Sequence, residues 1–222
     1  MKNVFVCMIA VVLLSLGYGK AAHFNDKLDD QPQDPWVTKE STHNPIGEQW
    51  KVLRGKWQKK ESGEIIAARS QTDNNAIDLL MVQKQEIKGD KFSISAKLKN
   101  LASAKTSLIG LAFHVQDANN YYAFRFNAAD EEGGYIQIIR VIEGKAQQVF
   151  VQRHEGKIKE KEFYVVKINS DELYSFSWSI SDLEGNVIVE GKTKDRLKQF
   201  KGGSVGMYAH SAGEFSDFSQ SR

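Results

Sequence analysis

Between Leu108 and Phe126 the chain reads LIGLAFHVQDANNYYAFRF, two alternating apolar runs on either side of Asp117-Ala118-Asn119-Asn120. Asn and Asp form turns readily because their side chains bond the backbone two residues on. The stretch therefore predicts an antiparallel hairpin. With Asp117 to Asn120 as the turn, Gln116 faces Tyr121, His114 faces Ala123 and Ala112 faces Arg125, all on one side. Leu111, Phe113, Val115, Tyr122, Phe124 and Phe126 fall on the other side and are the expected core set. The same period of two recurs along the chain. Phe92, Ile94, Ala96 and Leu98 alternate with Ser and Lys, and Phe176, Trp178 and Ile180 alternate with four serines, so Trp178 is expected to be a packing residue. Further strands are expected over 64–68, 77–83, 135–142, 146–152, 163–169, 187–191 and 204–210. Turns such as Glu184-Gly185-Asn186 and Gly202-Gly203 separate them, and one helical turn is expected in KDRLKQF, Lys194 to Phe200. Regular short strands with such turns give an all-β fold, an antiparallel two-sheet β-sandwich.

The first residues place Lys2 before an apolar run from Val4 to Leu16, followed by Ala21 and Ala22. This predicts a signal peptide over residues 1–22 and a secreted or periplasmic protein. The run is shorter than the ~20 residues of a spanning helix, and an uncleaved N-terminal membrane anchor is the alternative. Pro32, Pro35 and Pro45 are the only prolines, so 23–47 reads as a polar arm or linker and 48–222 as one sandwich domain. Paired strands exclude proline, which fits this division. Cys7 is the only cysteine and leaves with the leader, which removes disulfides, Cys-zinc sites and Cys nucleophiles from the mature chain. Lys2 and Lys20 leave too, so the mature charge balances at 28 basic against 28 acidic residues. That balance argues against a nucleic-acid partner.

Gly202 to Gly206 matches G-x-S-x-G, but that nucleophile needs a strand-to-helix turn with an acid and then a histidine downstream. Here Ser204 enters a strand pattern and His210 precedes Asp217. No closely spaced carboxylate pair of the kind a retaining glycosidase needs appears along any one strand. The five histidines lack zinc-ligand spacing. Asp117, Asn119 and Asp217 supply oxygen donors for a possible structural calcium, with ordinary turn formation as the alternative. The polar side of the hairpin, His114, Gln116, Tyr121 and Arg125, gains Gln137 or Arg140 and Tyr208 with His210 from neighbouring strands. An aromatic ring beside planar hydrogen-bonding groups suits a sugar, and Ala112 with Ala123 leaves a shallow depression between them.

Three segments carry a family resemblance: WKVLRGKWQKKESGEIIAA from Trp50, IGLAFHVQDANNYYAFRF from Ile109, and FKGGSVGMYAHSAGEFSDFSQ from Phe200. Over Trp50 to Gln220 the chain resembles the concanavalin A-like lectin/glucanase superfamily, in particular its bacterial secreted laminin-G-like and 3-keto-disaccharide hydrolase-like branch. The resemblance implies a two-sheet jelly roll with one concave sheet that binds glycans. The function expected is a carbohydrate-binding module without intrinsic catalysis, its partner a glycan or polysaccharide. A glycoside-processing enzyme similar to 3-keto-disaccharide hydrolases, and a structural domain with a protein partner, are the alternatives.

Overall fold

The computed structural model describes residues 46–68, 78–102, 107–128, 133–171 and 174–222. The expected signal peptide, the arm up to Pro45 and the acidic run Asp130 to Glu132 lie outside them. Among the described residues, fourteen strands form two seven-stranded antiparallel sheets. The first runs, edge to edge, β1 (Trp50–Arg54), β4 (Leu79–Gln83), β13 (Ser204–Ala209), β6 (Leu108–Asp117), β7 (Asn120–Asn127), β8 (Gly134–Ile142) and β9 (Lys145–His154). The second runs β12 (Val187–Lys194), β11 (Ser175–Ser181), β10 (Phe163–Ser170), β5 (Phe92–Asn100), β14 (Gly213–Ser221), β3 (Ile65–Ala67) and β2 (Trp57–Lys59). Consecutive strands make the meanders β6 to β9 and β10 to β12. The last two strands insert elsewhere, β13 between β4 and β6, and β14 between β3 and β5.

The period of two explains the core. Phe92, Ile94, Ala96 and Leu98 of β5 and Phe176, Trp178 and Ile180 of β11 point inward, where they meet Leu111, Phe113, Phe124, Ile136 and Ile138 of the first sheet. Trp178 lies against Phe124 and Phe150, with ring centroids 5.4 and 5.8 Å apart, as a packing residue. The alternate serines of β11 are half-buried on the opposite face. Of the two closing aromatics, Phe215 is fully buried and Phe218 packs edge-on to Trp50 at 5.1 Å. The segment KDRLKQF holds a turn after the end of β12 and no helix. Its Asp195 instead accepts the backbone N–H of Leu197 at 3.0 Å, which favours a turn over helix continuation.

Gly110 and Gly206 permit the tight seating of β6 and β13. A Cβ at Gly110 would strike the carbonyl oxygen of Phe124, and one at Gly206 that of Met81.

Candidate functional site on the outer face of the first sheet

The hairpin forms, but its register differs from the expected one. Asp117 pairs with Asn120 around a two-residue turn, and then Phe113 pairs with Tyr122, Ala112 with Ala123 and Gly110 with Arg125. His114, Val115 and Gln116 thus stand opposite Tyr121 alone, forming a bulge. His114 is the residue that bends the strand, at φ 49°. The bulge reverses the expected facing of its residues. His114 turns inward and stacks on Tyr174, with ring centroids 5.2 Å apart, beside Phe92 and Phe113. Val115 moves from the expected core set to the outer side. Gln116 reaches the carbonyls of His114 at 3.2 Å and of Gly202 at 3.3 Å. His114 and Gln116 therefore do not join Arg125. Arg140 also faces inward, where its Nη1 donates to Asp195 at 2.7 Å.

Tyr121, Arg125, Gln137, Tyr208 and His210 do come together, around a residue the sequence reading left out. Asp78, at the entry to β4, accepts the Tyr121 hydroxyl at 2.9 Å on Oδ2. Its Oδ1 accepts the Tyr208 hydroxyl at 2.6 Å and His210 Nδ1–H at 2.8 Å. Arg125 donates from Nη1 to the Tyr208 oxygen at 2.9 Å and from Nε to Gln137 Oε1 at 2.8 Å. Burial alone would raise the Asp78 carboxyl, but the His210 and Tyr208 hydrogen bonds and the nearby Arg125 charge outweigh it and hold the group below the ordinary aspartate value. Burial and the Asp78 charge push both tyrosines up, so they remain neutral donors.

Tyr135 shares its side of β8 with Gln137 and pairs across the sheet with Arg153 of β9. Arg153 lies over the Tyr135 ring at 5.3 Å and donates to its hydroxyl at 2.9 Å. A half-exposed ring thus stands two residues, ~7 Å, from Gln137. The matching parity of Tyr135 and Gln137 was available in the sequence. The position of Asp78 was not, because it depends on pairing with residues 130 positions away.

Beneath these groups lies a second apolar cluster of Leu80, Val82, Ala112, Val115, Ala123, Ile139 and Val141, with Leu53 packed against it. Arg54 of edge strand β1 donates to Asn119 Oδ1, in the β6–β7 turn, at 2.6 Å. The two side chains together span the outer side of β4 and β13.

The proposed calcium donors do not converge. Asp117 caps its own turn, accepting Asn119 N–H at 2.7 Å and the Asn120 amide at 3.0 Å. Asp217 lies on β14 of the other sheet and pairs with Lys97 at 2.7 Å. Among the described residues no group of three His, Cys, Asp or Glu side chains is placed to hold a metal ion.

Two buried histidines give the fold a pH dependence. His114 Nδ1–H donates to the Gly202 carbonyl at 3.0 Å and His154 Nε2–H to that of Asn127 at 2.8 Å. Burial lowers both from the ordinary histidine value, against the opposing effect of those bonds. The unfolded chain therefore binds protons first, and stability is lost as pH falls below about 6.5 toward the folded values. The urea midpoint should be lower at pH 5.5 than at pH 7.5. Equal midpoints would show that these histidines titrate alike in both states.

With this geometry in hand, known proteins place the chain. The sequence profile of the Beta xylosidase C-terminal Concanavalin A-like domain matches residues 39–219. The chain belongs to that family. The superfamily is the one its hairpin and closing segments resemble, and the family is the beta-xylosidase C-terminal one. Among curated proteins no sequence matches the domain. The carbohydrate binding module CBM66 from Bacillus subtilis superposes with a TM-score of 0.59 at 14% identity, over 78% of this chain and 96% of that one. The xylan beta-1,4-xylosidase from Bacillus halodurans C-125 gives 0.58 at 16% identity, over 87% of this chain. The domain spans 41% of that enzyme's length. Basic winged bean lectin, solved with Tn-antigen, gives 0.53 at 11% identity, over 80% of this chain and 93% of the lectin. At such identities the shared property is the fold.

Proposed function

We propose that the domain is a secreted or periplasmic carbohydrate-binding module without intrinsic catalysis, taking a glycan on the outer face of its first sheet. The observation that carries this reading is the juxtaposition of Tyr135, Gln137 and Arg125, a half-exposed ring beside two planar hydrogen-bonding groups already held in place by Tyr208 and Asp78. A sugar stacks its apolar face on such a ring while its hydroxyls meet the amide and guanidinium. The likeness to a carbohydrate binding module and to a lectin solved with Tn-antigen supports it.

The test is retention on a panel of soluble and insoluble polysaccharides. Tyr135→Ala and Gln137→Ala should each weaken binding to a retained polymer by about tenfold, the loss of roughly 1.4 kcal/mol of contact, with unchanged thermal melts. Undiminished binding in both variants would move the site off this face.

One observation favours an enzyme instead. Asp78 orients His210 through Nδ1 at 2.8 Å, the arrangement that prepares an imidazole as a general base. Release of soluble sugars from a bound polymer, lost in His210→Asn, would establish that reading.

A further inference from the structure

We propose that the glycan taken by this face is acidic, its sugar carboxylate received by the Arg125 guanidinium; this rests on the glycan-binding reading. The first observation is how charge is sorted. The chain as a whole carries nearly equal numbers of basic and acidic residues, 30 and 28. Yet the seven strands of the first sheet contain a single acidic residue, Asp117, and it sits in the hairpin turn. The outer-face register positions of those strands carry Lys51, Arg54, Arg125 and Arg153. His210 follows β13, and Asp78 precedes β4. Such an excess of cations on one face raises the local concentration of anions. A neutral sugar gains nothing from it.

The second observation is the state of Arg125. Two of its three nitrogens are committed, Nε to Gln137 and Nη1 to the Tyr208 oxygen, which fixes the plane of the guanidinium. Its Nη2 makes no hydrogen bond among the described residues. The carboxylate of Asp78 does not pair with it directly, because no ion pair joins Asp78 to Arg125 within 4.0 Å among those residues and its oxygens accept Tyr121, Tyr208 and His210. Arg125 is thus a half-buried, oriented cation whose neighbouring anion is engaged by other donors. A planar carboxylate is the group that a guanidinium fork recognises with most directional specificity. Arg153, held against Tyr135, places a second cation beside the ring on which the same sugar would stack.

The experiment measures the affinity of the chain for uronate polymers (polygalacturonate, alginate and glucuronoxylan) and for the same polymers with their carboxylates reduced to alcohols. At least one native polymer should bind about tenfold or more tightly than its reduced form, as a charge-assisted contact requires. Arg153→Gln, at an exposed position that does not support the Asp78 network, should narrow that ratio without changing the thermal melt. Equal binding of native and reduced forms, or binding of neutral glycans only, would overturn the acidic assignment and leave the glycan-binding reading standing. Equal retention of a sulfated galactan or of single-stranded DNA would overturn the carboxylate specificity. Retention of no polymer, acidic or neutral, would overturn both readings.

Discussion

Asp195→Ala should cost about 3 to 5 kcal/mol of folding stability, the range for stranding one partner of a buried ion pair. The Asp195 and Arg140 side chains are only 6% and 8% exposed, and Nη1 meets Oδ2 at 2.7 Å. The same carboxylate accepts the Tyr122 hydroxyl and the Leu197 amide. Arg140 Nε lacks a partner among the described residues, so removing Asp195 strands a buried cation beside the neutral Gln147 and Tyr122. Urea unfolding of the variant measures the loss. A double variant with Arg140→Met should recover part of it by removing the stranded charge, and a loss under about 1 kcal/mol in the single variant would place the pair among weak surface bridges.

Phe124→Ala should cost a similar amount for a different reason, about 3 to 5 kcal/mol from lost burial and the cavity left behind. Phe124 is fully buried, 5.4 Å from the Trp178 ring and 6.4 Å from that of Phe126. Neighbouring core rings come from both sheets, so the cavity lies at the sheet interface and cannot close by a local shift. Chemical denaturation checks this as well. A loss below about 1 kcal/mol would mean that the two sheets collapse into the space, contrary to the close-packed interior assumed.

The sandwich was legible because strand alternation is a local property, written in adjacent residues such as Phe92 to Leu98 and Phe176 to Ile180. The candidate site was legible where two of its members share one strand, as with Tyr121 and Arg125, or lie two residues apart at a strand end, as with Tyr208 and His210. It failed at His114, where a left-handed backbone on a non-glycine residue inverts the alternation without any sequence signal. It failed again at Asp78 and Asp195. Each is an ordinary acid in the sequence, and each becomes the centre of a network only through strands distant along the chain. For the same reason the calcium donors were grouped wrongly, since Asp117 and Asp217 belong to opposite sheets.

The placement of β13 and β14 bears on how the molecule is assembled during synthesis. Strands β1 and β4 meet the rest of their sheet only through β13, and β2 and β3 meet theirs only through β14. The early pairs β1–β4 and β2–β3 can therefore form between themselves but join their sheets only once Ser204 to Ser221, which are made after all of them, have emerged. Until then the central meanders present unpaired edges at the positions those late strands will fill, and unpaired edges invite pairing with other chains. The window of greatest aggregation risk thus falls before β13 and β14 emerge, and a nascent chain stopped short of β13 would keep both sheets open on the same side.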